Sequence, residues 1–208
     1  MIIGVTGVIG SGKSTFAWML SREIAAPVID VDVLGHRALT LCRTDIIQEF
    51  GKKICSGRNI NRKKLGVAVF SDPSKLKRLE RIVHPVMYSL VDTRIKNKKN
   101  AIIDAAVLFR MKLHTLCDFV IYVDSPKKSL LARLKRRSRM DRRAVEAVLA
   151  RQKDIKLGKT ASDIIVKNTQ GTGLLSRRAR LLARMLLCLK PNTTDRRANR
   201  MRDLKNIS

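Results

Sequence analysis

Apolar positions fall along this chain in two rhythms. Five short runs, at residues 2–5, 28–29, 101–105, 119–124 and 161–167, are apolar on successive positions over most of their length. Such a run is buried on both faces, as a central strand of a parallel sheet is. Between the runs, apolar residues recur every three or four positions, the period of a helix packed along one face. Residues 16–24 predict the first helix, stopped before Pro27. Residues 33–51 read as helical, 52–64 as a loop and turn broken at Ser56-Gly57, and 65–70 as a helix. Asp72-Pro73 predicts the start of a further helix, with Leu76, Leu79, Ile82 and Val83 at helical spacing. His84-Pro85 is expected to interrupt or restart it before the pattern resumes over 86–95.

This long block between the second and third runs carries little strand signal. It reads as an α-helical insertion over 33–98. Pro126 ends the fourth strand, and residues 127–151 read as two helices with a hinge near 138–141. A turn at 168–173 and an amphipathic helix over 174–189 follow, and Pro191 closes that helix. The residues from 192 onward are polar and basic and are expected to be a poorly ordered tail. Strands alternating with helices predict an α/β fold with a parallel sheet. No internal repeat is visible.

Composition narrows the class. With 45 % hydrophobic residues in 208, the chain can bury a sizeable core, which excludes a disordered protein. One domain over 1–190 is expected. Cys42, Cys55, Cys117 and Cys188 are scattered without a C-x-x-C pair, so neither a zinc site nor a disulfide framework is suggested. Reduced thiols in a cytoplasmic protein are the simplest reading. No apolar run is long enough for a membrane span. The N-terminal run is short and lacks preceding basic residues, so it reads as a strand and not as a signal peptide.

Charge is the oddest feature, at a formal net of +27. Residues 127–159 hold 13 basic and 3 acidic side chains, and residues 176–208 hold 10 and 2. The excess is therefore concentrated in two segments. Such a surface attracts polyphosphates and, non-specifically, nucleic acid. A solvated basic surface without a ligand is the other reading. Aromatic content of 4 % leaves few platforms for base stacking.

The most specific chemistry lies between the first strand and the first helix. Gly7, four residues, then Gly12-Lys13-Ser14 is the spacing of a phosphate-binding P-loop. Glycines let successive backbone N–H groups turn inward around phosphate oxygens, and the following helix adds its positive end. Gly10, Ser11, Gly12, Lys13, Ser14 and Thr15 are thus the candidate residues for binding a nucleoside triphosphate, with the Ser14 hydroxyl a candidate Mg²⁺ ligand. The second strand ends in Asp30-Val31-Asp32. If that segment is extended, both carboxylates share a face, where one could orient a metal or accept a hydroxyl proton. The alternative is that either is an N-cap for the next helix. Asp104, at the end of the third strand, is a weaker candidate metal partner. The arginines of 127–151 are either a solvated helix face or a lid over the triphosphate, at 126–152.

These features together resemble dephospho-coenzyme A kinase, over roughly residues 2–190. The family's strand and phosphate loop stand at Thr6-Gly7-Val8-Ile9-Gly10-Ser11-Gly12-Lys13-Ser14-Thr15, and its Ile-Asp-x-Asp segment at Ile29-Asp30-Val31-Asp32. Gly57, Ile60-Asn61-Arg62, Leu65, Phe70, Leu79, Ile82 and His84-Pro85 follow the family's order and spacing. Arg133 and Arg137 match its lid arginines, followed by Gln152, Lys156, Asp163 and Asn168. Two stretches depart from it. Ala106-Val107-Leu108-Phe109-Arg110 stands where the family has Pro-Leu-Leu-Phe-Glu, and Arg137-Ser138 where it has Arg-Asp.

The resemblance implies a P-loop, nucleoside-monophosphate-kinase-like fold. That fold is a three-layer α/β/α arrangement with a five-stranded parallel sheet, a helical acceptor insertion and a lid. It implies transfer of the ATP γ-phosphoryl group to the ribose 3′-hydroxyl of dephospho-CoA, with Mg²⁺. Lys13 and Arg137 would hold phosphates together with Arg133. Asp32 would act as base with Asp30 beside it, and Arg62 and His84 would serve the acceptor. Another metabolite kinase of the same fold is the nearest alternative. A degenerate member that binds nucleic acid is the more distant one.

Overall fold

The computed structural model describes residues 1–70, 72–138, 146, 149, 152–169 and 171–188. Most of the expected hinge at 138–141, most of the expected second lid helix and the tail lie outside the described residues. The chain divides into two compact units, one of residues 1–29 with 97–208 and one of residues 30–96.

The first unit is built on a five-stranded sheet. Its strands are β1 (Ile2–Thr6), β2 (Val28–Asp30), β5 (Ala101–Asp104), β6 (Phe119–Asp124) and β7 (Ile164–Lys167). Their spatial order is β2-β5-β1-β6-β7. β1 pairs in parallel with β5 and with β6, and β6 pairs in parallel with β7. The central strand β1 is buried along its whole length, as a run without polar alternation requires.

Strand alternation builds the layers. Ile121 and Val123 join Ile3, Val5, Ile102 and Val166 beneath α1 (Lys13–Glu23) and the final helix, Thr172–Cys188. Tyr122, between them on β6, points to the other face. There it packs with Val8, Leu130, Leu134, Leu149 and Ile155. Helices therefore cover both faces of the sheet, giving the expected three layers. Phe16, Ala17 and Leu20 are fully buried on α1, and Leu175, Ala179, Leu182, Ala183 and Leu186 face them from the final helix. Truncating a core residue such as Phe16 to Ala typically costs about 3–5 kcal/mol.

The second unit packs α2 (Val31–Leu41), α3 (Arg43–Phe50), α4 (Arg62–Phe70) and α5 (Pro73–Ile95). On α5, Val83, Met87, Val91 and Ile95 repeat every four residues and are all buried. Two expectations are corrected here. His84-Pro85 does not interrupt the helix, because α5 runs through it. Pro85 removes one N–H, but it is exposed, so the carbonyl one turn back faces water and loses little. The stretch 52–64, read as a loop turned at Ser56-Gly57, does turn there, but its last three residues belong to α4. It contains a short antiparallel pair, β3 (Cys55–Ser56) and β4 (Asn59–Ile60), turned at Gly57.

Among the described residues, no helix is long and apolar enough to cross a membrane.

Candidate phosphate-transfer site

The loop between β1 and α1 is a left-handed turn held from outside by side chains far away in sequence. Gly10 and Gly12 have φ of +78° and +93°, which side-chain-bearing residues rarely adopt. Gly12 is the N-cap position of α1 and offers no side-chain cap. Helix geometry leaves the amides of Gly12, Lys13, Ser14 and Thr15 without intrahelical carbonyl partners. They form a ready anion cradle at the positive end of α1.

Several of the loop's other polar groups are taken, while the buried Ser11 Oγ has no partner among the described residues. The Ser11 N–H donates to the Val8 carbonyl at 3.0 Å, and the Ile9 N–H donates to Gln152 Oε1 at 2.9 Å. Arg133, on α6 (Lys127–Ser138), donates from NH1 to the Gly10 carbonyl at 3.0 Å, the Ser11 carbonyl at 3.3 Å and Ser125 Oγ at 3.0 Å. Asn168, just after β7, donates from Nδ2 to the Ser11 carbonyl at 2.8 Å. Sequence reasoning placed Arg133 on the phosphates. The structure places its NH1 on the carbonyls of the loop that would hold them.

The Lys13 ammonium sits 2.9 Å from Asp104 Oδ1 and 3.4 Å from Ser14 Oγ. The two charged side chains are only 13 % and 3 % exposed, so each compensates the other's burial. One carboxylate and one hydroxyl on the same ammonium are oxygen donors of the kind Mg²⁺ takes alongside phosphates and water. Tyr122 lies next to the loop. Burial, then the Asp124 charge, push its phenol up to about 12, against a hydrogen bond with the Val8 backbone.

In the second unit, the two candidate carboxylates separate in role. The strand ends at Asp30 and α2 begins at Val31, so the expected shared face of an extended segment is not formed. Asp30 Oδ1 accepts from the Asp32 and Val33 amides at 2.9 and 3.1 Å, and Asp30 is thus the N-cap. Its bonds turn the chain into the helix and carry Asp32 into the first turn, exposed. Arg62 opens α4 after the cap residue Asn61, whose Oδ1 accepts from the Lys63 and Lys64 amides. The Arg62 NH1 donates to His36 Nε2 at 2.6 Å, which makes that ring nitrogen the acceptor. His84 is half-buried in mid-helix on α5. The Arg137 side chain lies outside the described residues.

Sequence reasoning gave Asn168, Ser125 and Gln152 no part in the loop. Asn168 and Gln152 stood only as family matches, and a lone Ser after a strand carries no signal. It also left Arg110 as an unexplained departure. Arg110 donates from Nε and NH2 to Asp154 Oδ2 at 2.8 and 2.5 Å. Asp154 lies on the short helix α7 (Lys153–Leu157), which follows directly on Gln152. The basic residue at 110 thus secures the segment that carries the Gln152 contact to the loop.

Comparison with known proteins places this geometry. The family model for dephospho-CoA kinase matches residues 1–173. The dephospho-CoA kinase of Borreliella burgdorferi is 36 % identical over 172 residues, covering 81 % of this chain and 84 % of that protein. That of Anaeromyxobacter dehalogenans is 34 % identical over 192 residues, covering 88 % and 90 %. A solved structure from Thermus thermophilus superposes with a TM-score of 0.77 at 29 % identity, covering 91 % of this chain and 98 % of that one.

Proposed function

The chain belongs to the dephospho-CoA kinase family, an ATP-dependent kinase family, and from that premise we propose how its residues divide the work. The reaction is transfer of the ATP γ-phosphoryl group to the ribose 3′-hydroxyl of dephospho-CoA, giving coenzyme A and ADP. The observation that carries it at the phosphate end is the amide cradle of residues 12–15 with Lys13 set beside Asp104 and Ser14.

Each residue then has a physical task. The cradle amides and Lys13 neutralise the β- and γ-phosphates, and Arg137 adds a further positive charge. Ser14 would hold Mg²⁺, with Asp104 behind it. That ion supplies charge neutralisation on the phosphates. Asp32 accepts the 3′-hydroxyl proton. Its exposure lets it meet an incoming hydroxyl, which the capping carboxylate of Asp30 is less free to do. The second unit is the acceptor-binding insertion. Arg62, held by His36, faces acceptor anionic groups, and His84 contributes from α5. Positioning and charge stabilisation supply most of the acceleration in phosphoryl transfer. The four cysteines form no disulfide among the described residues, which fits a reducing compartment such as the cytoplasm.

The test is ADP release from ATP and Mg²⁺, with and without dephospho-CoA, with the product identified by mass. Acceptor-dependent ADP and coenzyme A are expected. Folded protein that shows no acceptor-dependent turnover, yet binds polynucleotide with a steep salt dependence, would overturn the reading.

A further inference from the structure

Gly12 carries no Cβ, and Asn168 takes the space one would need. A Cβ built at Gly12 would lie 2.4 Å from Asn168 Nδ2. Asn168 is only 5 % exposed, and its main chain is tied down on both sides. Its N–H donates to the Asp124 carbonyl at 2.6 Å, and its carbonyl accepts from Ser125 Oγ at 2.8 Å and from Arg133 NH2 at 3.3 Å. The side-chain amide therefore stands on a rigid base.

Its two ends are treated unequally. Nδ2 donates to the Ser11 carbonyl, whereas the buried Oδ1 has no partner among the described residues. Turning the amide over would set Oδ1 against the Ser11 oxygen, acceptor to acceptor, so the donor direction is forced. Leaving one buried oxygen unsatisfied is a cost, and it is retained where the other end of the amide has a task.

That task follows from peptide geometry. The Ser11 carbonyl and the Gly12 N–H belong to one trans peptide and point in opposite directions. A carbonyl fixed by Asn168 at 2.8 Å, and by Arg133 NH1 at 3.3 Å, fixes the Gly12 N–H away from both. We propose that Asn168 is a positioning residue for phosphate binding: by holding the Ser11 carbonyl from behind, it aims the Gly12 amide at the nucleotide's phosphates. It acts on the phosphates through the loop and not on the base. The motif's glycine at 12 then has a second reason beyond its φ, since any side chain there would expel Asn168. The inference rests on the phosphate site proposed above.

The test uses the full chain and two variants, Asn168→Ala and Asn168→Ser, the latter polar but too short to reach Ser11. Calorimetry measures binding of ATP and, separately, of inorganic tripolyphosphate, which has no base. Both ligands should weaken by the same factor in both variants, about tenfold for one lost orienting hydrogen bond. The Gly12 amide resonance should move on tripolyphosphate addition in the unmutated chain and barely move in the variants. The acceptor KM at saturating ATP should stay unchanged. Weakening of ATP alone would mean that Asn168 serves the base, and it would overturn the proposal, as would unchanged binding of both. Unmutated chain that binds neither ligand would instead sink the phosphate site itself, an outcome distinguished by needing no variant. Melting curves confirm that the variants are folded, and if one is not, the other carries the test.

Discussion

The two units position functional side chains in opposite ways. In the first, the phosphate loop is gripped by residues more than a hundred positions away, Arg133, Gln152 and Asn168, through hydrogen bonds that are partly or fully buried. In the second, the candidate acceptor residues Asp30, Asp32 and Arg62 sit at exposed helix starts, with His84 half-buried in mid-helix. The capping oxygens of Asp30 and Asn61 reach only two and three residues along the chain. The difference matches the chemistry each end must perform. Triphosphate binding needs amides frozen in one geometry, which low dielectric and long-range packing supply. In the proposed mechanism an acceptor hydroxyl meets its base at residues open to a large substrate. Local capping bonds suffice there, because only the helix start has to be set.

The broadest expected effect, on turnover and on stability together, breaks the first unit's buried pair. Lys13→Ala should lower turnover on the order of 10²–10³-fold. It should also destabilise the fold by roughly 3–5 kcal/mol, because Asp104 is left charged and buried. The double variant Lys13→Ala/Asp104→Asn should recover melting temperature but not turnover. If turnover returned with stability, the lysine would be structural only. Next, Asp32→Asn should reduce kcat by about 10²–10⁴-fold while ATP still binds. Asp30→Ala should instead show itself in the melting curve, at about 1 kcal/mol, as loss of an N-cap does. Equal kinetic effects of the two would erase the distinction drawn between them.

A smaller effect tests the second unit alone. Arg62→Ala should raise KM for dephospho-CoA roughly tenfold, the worth of a charged hydrogen bond, and leave KM for ATP in place. A matched rise in both would assign Arg62 to general stability. The smallest effect concerns Tyr122, beside the phosphate loop. Its phenol titrates near 12 in the folded chain, against 10.0 for a free phenol. The unfolded chain therefore releases this proton first, so stability present below pH 10 is progressively lost as pH rises toward 12. Tyr122→Phe should flatten that alkaline limb in melting measurements. An unchanged limb would mean that other groups set it.

How much of this was legible before the structure differs by element. The strands at 2–5 and 119–124 were readable because burial on both faces writes itself as an unbroken apolar run. Asp72-Pro73 announced the start of α5 through capping chemistry confined to four residues. His84-Pro85 misled for the same reason. A proline's local penalty is visible in sequence, whereas the packing of Val83, Met87, Val91 and Ile95 that outweighs it is not. The short pair β3–β4 was missed because two-residue strands have no periodicity to detect.

By itself, the sequence determined the order of the sheet strands and the long helices, the phosphate loop with its lysine and serine, and the pair of carboxylates at the end of β2. Each of these is encoded in consecutive residues, by sterics, capping or the spacing of glycines. Tertiary structure alone decided that Lys13 rests on Asp104, that Arg110 secures Asp154, and that Asn168 stands where a side chain at Gly12 would be. Those choices depend on which distant groups a polar side chain meets. Asn, Ser and Gln are common surface residues, and they become parts of a site only when folding leaves a loop carbonyl or amide with no other partner.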